Sequence, residues 1–157
     1  MDTHRLVLTA EHAMQRNVFV LAPETPVLDA VRELTVRGYS GAPVVLGRTV
    51  IGVFSERDAL NAIATAHYED EPPGSVAQHM RRDFAVVGPG ADLFEVASLF
   101  RENPVRRVPV VDIHRQLLGI LSRSDVLRAL SGQFPHRQRS QYERLQAHMA
   151  QMQGAYF

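Results

Sequence analysis

Two four-residue stretches hold the side chains with the most chemistry to offer: Ser55-Glu56-Arg57-Asp58 and Ser122-Arg123-Ser124-Asp125. A serine with an aspartate three residues on is a helix capping box. The serine hydroxyl accepts from a free amide of the first turn, and the acidic side chain reaches back to the serine amide. Capping is the commonest task of such a pair and accounts for either stretch alone. The setting adds to it. Each stretch follows a Gly-led apolar run, Gly52-Val53-Phe54 and Gly119-Ile120-Leu121. A helix N-terminus, with free amides and the positive end of the helix dipole, is thereby set at the mouth of a sheet, where a phosphate is well accommodated. An aspartate one turn in, if not spent on capping, can accept from both hydroxyls of a ribose. Arg57 and Arg123 beside it can pair with phosphate oxygens.

Other chemistries drop out on composition. The chain of 157 residues has no cysteine, which excludes disulfides and thiolate catalysis. All 17 basic residues are arginine, so lysine chemistry is excluded too. The histidines (His4, His12, His67, His79, His114, His136 and His148) share no metal-ligand or triad spacing with a carboxylate, so neither catalysis nor a metal site is expected. Basic and acidic residues balance at 17 each, which argues against a nucleic-acid-binding domain. No apolar run approaches the roughly 18 residues of a membrane span, and the N-terminus lacks a signal-peptide pattern. A cytoplasmic protein without a membrane partner is expected.

The elements that must position these residues come in two copies. Met14 and Met80 lie 66 residues apart, as do Pro43 and Pro109; Gly52 and Gly119, Ser55 and Ser122, and Asp58 and Asp125 lie 67 apart. The offset changes by one residue between the two strands of a hairpin, where an insertion is tolerated. Each copy reads as a short helix ending near Met14 or Met80, a strand (Val18–Leu21, Phe84–Val87), and a helix with apolar residues at helical spacing (Val27, Ala30, Val31, Leu34; Leu93, Val96, Ala97, Phe100). A hairpin (Val44–Leu46 with Val50–Phe54; Val108–Ile113 with Leu117–Leu121) and the capped helix follow. The expected organisation is residues 1–68 as first repeat with the N-terminal helix, 69–74 as an acidic, Pro/Gly-rich linker, 75–132 as second repeat, and 133–157 as a helical extension. The fold class is α/β (α+β), each repeat carrying a three-stranded sheet. A unit of about 50 residues buries too little core alone, so the two are expected to pack together with pseudo-twofold symmetry. In the extension, Tyr142, Leu145, Met149, Met152 and Tyr156 recur in steps of three and four. That is an apolar seam, expected to pack back on the domain or on a second subunit, with a dedicated partner-binding helix as the alternative.

Gly41-Ala42-Pro43-Val44-Val45 with Gly52-Val53-Phe54-Ser55-Glu56-Arg57-Asp58, and Arg107-Val108-Pro109-Val110-Val111 with Gly119-Ile120-Leu121-Ser122-Arg123-Ser124-Asp125, resemble the two halves of a cystathionine-β-synthase (CBS) domain pair, or Bateman module. The likeness covers residues 10–130. It implies clefts between the repeats that take AMP, ADP or ATP as regulatory ligand, with S-adenosylmethionine ranked behind them and no required cofactor. It also implies a homodimer and signalling to an effector protein. By position, Asp58 and Asp125 would hold ribose, and Ser55 and Ser122 with the helix amides would meet phosphate, flanked by Arg57, Arg123 and Ser124. Gly41, Ala42, Pro43, Val108 and Pro109 would line the base slots, with Tyr39 and Arg107 at their edges. Asn17-Val18 and Asp83-Phe84 would close them. Asp83 brings a negative charge where Asn17 is neutral, and Pro104 reshapes the second copy's connection. Unequal sites are therefore expected, with the Asp58 motif accompanied by Arg57 and Asn17. The alternative is a structural dimerisation module whose pockets are vestigial.

Overall fold

The structure, a computed structural model, describes residues 7–134 and 137–154, with side chains over 7–134 and 142–151. The first repeat contributes α1 (Ala10–Ala13), α2 (Val27–Arg37), β1 (Gly41–Leu46), β2 (Thr49–Ser55) and α3 (Glu56–Glu69). The second contributes α4 (Val76–His79), α5 (Leu93–Glu102), β3 (Arg107–Val111), β4 (Leu117–Ser122) and α6 (Arg123–Ser131); α7 (Arg137–Gly154) follows. In α2 the spacing of Val27, Ala30 and Leu34 turns one stripe inward, and Gly38 ends the helix at φ 68°. Leu93, Val96 and Phe100 do the same for α5.

β1 pairs antiparallel with β2, setting Gly41 opposite Ser55, and β3 pairs with β4, setting Arg107 opposite Ser122. The expected third strand is reduced in each repeat to one parallel bridge. Leu21 accepts from the Val45 amide and donates to the Pro43 carbonyl, both at 2.9 Å; Val87 bridges to Val110 in the same way. The ladder stops there because Pro23 and Pro89, two residues on, have no N–H to continue it.

The repeats exchange their first helices. Gln15, just past α1, pairs with Ile120 of β4 through two 2.9 Å hydrogen bonds; Arg81, just past α4, pairs with Val53 of β2. Met14 is accordingly buried with Leu93, Val96, Phe100 and Leu121, and Met80 with Leu34, Val44 and Phe54. Each crossing contact has its counterpart running the other way, as a twofold relation requires. The hairpin tips also meet: Leu117 donates to the Arg48 carbonyl at 2.9 Å and Val50 to the Arg115 carbonyl at 3.0 Å. The longer second turn is held by Asp112 Oδ1, which accepts from the His114 and Gln116 amides at 2.9 Å.

Glycine is required where the exchanged methionines cross the strands. A Cβ on Gly52 would lie 2.6 Å from Met80 Sδ, and one on Gly119 would lie 2.6 Å from Met14 Sδ and 2.8 Å from the Gln15 carbonyl oxygen. The linker is tied to the first repeat rather than loose, since Val27 donates to the Gly74 carbonyl at 2.9 Å and Val76 to that of Thr25 at 2.8 Å. α7 does not pack back on the repeats through its described side chains. Tyr142, Leu145 and Met149 are all exposed, whereas the side chains of Met152 and Tyr156 lie outside the described residues.

Candidate functional site

The capping boxes form as the sequence requires. Asp58 Oδ2 accepts from the Ser55 amide and hydroxyl, each at 2.8 Å, and Ser55 Oγ accepts from the Asp58 amide at 3.3 Å. Asp125 Oδ2 accepts from the Ser122 amide at 2.8 Å and hydroxyl at 2.7 Å, and Ser122 Oγ accepts from the Asp125 amide at 3.1 Å. Capping therefore uses one oxygen of each carboxylate and leaves Oδ1 over.

The two spare oxygens differ. Asp58 Oδ1 accepts no hydrogen bond from the described residues, and its side chain is half-buried. Asp125 Oδ1 accepts from Gln15 Nε2 at 3.1 Å and from Arg128 Nη1 at 3.4 Å. Asp125 is 6% exposed, the one buried charged residue among those described. Burial pushes its pKa up. The Ser122 amide and hydroxyl, Gln15 and the Arg128 guanidinium outweigh that and leave it below the usual aspartate value. A carboxylate whose pKa is lower folded than unfolded stabilises the fold above the ordinary aspartate range and loses that contribution as pH falls through and below it. Asp125→Asn is therefore expected to unfold with a shallower loss of stability than the parent chain below about pH 4. Thermal unfolding midpoints taken between neutral and acid pH measure this, and parallel curves would refute it.

Each carboxylate opens on a cleft between the repeats. The Asp58 cleft has a volume of about 940 Å³ and is lined by Ala42, Pro43, Ser55, Arg57, Asp83, Phe84, Pro104 and Pro109, among others. The Asp125 cleft, about 310 Å³, is lined by Gln15, Asn17, Val18, Phe19, Tyr39, Ile120 and Ser122. Gly41, Pro43, Arg107 and Ile120 border both. The expected pairing of Asn17 with Asp58 is therefore corrected: Asn17 lies with Asp125, and Asp83 and Pro104 lie with Asp58. The cause is the crossing of α1, since the Gln15–Ile120 bridge delivers Asn17 and Val18 to the far repeat. Three further expectations fail in neither cleft being reached. Val108 is 1% exposed and belongs to the core, because Arg107 and Pro109 on either side face the clefts and alternation turns Val108 away. Arg123 and Ser124 are exposed on α6 and border neither cleft.

Aromatic and cationic groups fix one wall of the smaller cleft. Phe19 stacks on Tyr39 with centroids 6.2 Å apart, the Arg37 guanidinium lies 4.3 Å from the Phe19 centroid, and that of Arg107, from the second repeat, lies 4.7 Å from the Tyr39 centroid. In the larger cleft Arg81, Arg106 and Asn61 join Arg57 and Arg107. Sequence reading missed Gln15, Phe19, Arg81, Arg106 and Asn61. Gln15 and Arg81 each follow the repeated methionine, and only the exchange brings them to a cleft. Among the described residues no three of His, Asp or Glu are grouped to hold a metal, and no helix is long and apolar enough to cross a membrane.

The family model for the CBS domain matches residues 10–65 and again 75–132. A crystal structure of CBSX2 in complex with AMP is 32% identical, with a TM-score of 0.71 over 79% of this chain and 96% of that one. CBSX2 from Arabidopsis thaliana, a CBS-pair protein, is 29% identical with a TM-score of 0.69, over 80% and 96%. The CBS domain pair of MJ0100, in complex with 5′-methylthioadenosine and S-adenosyl-L-methionine, shares the fold at a TM-score of 0.69 and 18% identity, over 82% and 99%. Among curated proteins, the uncharacterised MJ1232 of Methanocaldococcus jannaschii is 28% identical over 76% of this chain and 38% of its own length. An inosine-5′-monophosphate dehydrogenase of Korarchaeum cryptofilum is 28% identical over 85% and 26%. The chain thus spans well under half the length of these curated relatives.

Proposed function

The chain belongs to the CBS-domain family as a pair of CBS repeats, and we propose that it is a regulatory module. It binds an adenosine nucleotide in its inter-repeat clefts and passes the state of occupancy to a partner protein. The observation that carries this reading is the spare Oδ1 of Asp58. It is a carboxylate oxygen without a protein donor among the described residues, on the first turn of a helix, bordering a cleft of about 940 Å³. An acceptor-only group in that place matches the vicinal hydroxyls of a ribose. Next to it the α3 amides and Arg57, Arg81, Arg106 and Arg107 suit a phosphate chain. The AMP held by CBSX2, at 32% identity, supports the same ligand class. The larger cleft sets four arginines against Glu56, Asp58 and Asp83, and the smaller one a single arginine against Asp125, so the sites are unequal: the Asp58 cleft, with more cationic donors, takes the more highly phosphorylated ligand.

The role is regulatory rather than catalytic, and it works through a homodimer formed by the helices. Leu60 and Ile63 of α3 and Leu127 of α6 present apolar side chains outward for that contact. Isothermal titration with AMP, ADP, ATP and S-adenosylmethionine, read alongside thermal unfolding, tests the proposal. At least one adenosine ligand is expected to bind, and at about 100 times its Kd to stabilise the fold by about 2.7 kcal/mol. If none binds, the aspartates only cap their helices and the module acts by dimerising.

A further inference from the structure

We propose that Gln15 is an internal latch on the Asp125 cleft, so that the two clefts fill in order, Asp58 first. The inference rests on the nucleotide-binding reading above and adds the order and its cause. Asp125 Oδ2 is committed to Ser122, so a ribose can be received only on Oδ1, and there Gln15 Nε2 already donates at 3.1 Å. The second donor, Arg128, is longer at 3.4 Å and its side chain is 71% exposed, so it gives way readily. Gln15, itself an exposed residue, makes the shorter bond. Its backbone is pinned on both sides by the Ile120 bridge, and its side chain reaches a carboxylate 110 residues away in sequence. A ligand entering this cleft must turn the amide off the carboxylate before its own hydroxyls bind.

The equivalent position in the other half holds Arg81, also bridged through its backbone, to Val53. Arg81 borders the Asp58 cleft, yet Asp58 accepts no hydrogen bond from it. One spare carboxylate oxygen is therefore free and the other already occupied by the molecule's own side chain. The latch moves no backbone: the Gln15 amide and carbonyl stay in the bridge while the side chain rotates.

The test is a calorimetric titration of the full chain with AMP and, separately, ATP. In the parent chain two classes of site are expected. Gln15→Ala is expected to tighten the weaker class about 10-fold, the size of one net hydrogen bond to a charged group, and to leave the tighter class unchanged. Asp58→Ala should weaken the tight class and preserve the gain made by Gln15→Ala. A second readout needs no variant: in nuclear magnetic resonance, the Gln15 side-chain amide signals should shift as the weaker class fills and stay fixed while the tighter one does. Unchanged or weakened binding in Gln15→Ala, or a Gln15 amide signal indifferent to the second ligand, overturns the latch while leaving the nucleotide reading in place. Absence of all binding in the parent chain overturns both.

Discussion

Asp58→Ala is expected to weaken adenosine-nucleotide binding at the larger cleft by about 10- to 100-fold. In the proposed binding mode its Oδ1 is the acceptor for the ribose, and losing a hydrogen bond to a charged group costs about 1.5–3 kcal/mol. The same change also removes one side of the α3 capping box, where Oδ2 accepts from the Ser55 amide and hydroxyl at 2.8 Å. That costs roughly 1 kcal/mol of stability, so a simple loss of binding could reflect a frayed helix. Asp58→Asn separates the two. It keeps an oxygen for the Ser55 amide but presents an NH₂ where the ribose needs an acceptor. Titration calorimetry should show both variants losing affinity, and thermal unfolding should show only the alanine variant losing stability. Parent-like affinity in both would mean that the carboxylate serves the helix and nothing else.

Gly119→Ala is the substitution expected to cost most stability for a single added methyl group, about 1–3 kcal/mol. The new Cβ would stand 2.6 Å from Met14 Sδ and 2.8 Å from the Gln15 carbonyl oxygen. The sulfur ends a flexible chain and can retreat. The carbonyl cannot, because it accepts from Ile120 in the bridge that ties α1 to β4. At Gly52 the corresponding backbone oxygen, that of Arg81, lies 3.1 Å away, so Gly52→Ala should cost less. Denaturant unfolding of both variants ranks them. Equal costs, or none, would show that the crossing has more room than these distances allow. Cleft occupancy gives a further check, since a shifted Gln15 loosens its hold on Asp125.

Both predictions touch groups that were legible in the sequence, and they also show where legibility stopped. The Ser-x-x-Asp pairs, the apolar stripes of α2 and α5 and the hairpins follow from local rules of capping and periodicity, which act within a few residues. What decides the clefts does not act locally. Met14 and Met80 are interchangeable by position in their repeats, and nothing near either residue says whether it crosses Gly52 or Gly119. The exchange reverses the expected partners of Asn17 and Asp83 and brings Gln15 to Asp125. The third strand failed for a related reason: Val18–Leu21 and Phe84–Val87 have strand composition, but their first residues line clefts and only the last one pairs. Val108 looked like a slot residue only while strand alternation around Arg107 and Pro109 was ignored.

The crossing of the first helices also sets the order in which this chain can acquire its shape during synthesis. Translation releases α1 first, yet its seat on β4 exists only once Ile120 has left the ribosome, about a hundred residues later. Until then Ala10 and Met14, both buried in the finished protein, have no core to enter. The first repeat meanwhile waits for Val76 and Met80 to complete its own interior. The first core can close once Met80 is out, whereas the second cannot close without a helix made about a hundred residues earlier, so its decisive contacts are long-range ones, the kind that slow folding. In an isolated single repeat, the nearest substitute for the missing helix would be the same helix borrowed from a second copy. This is the reciprocal arrangement that domain swapping produces between two chains and that this duplicated sequence holds within one.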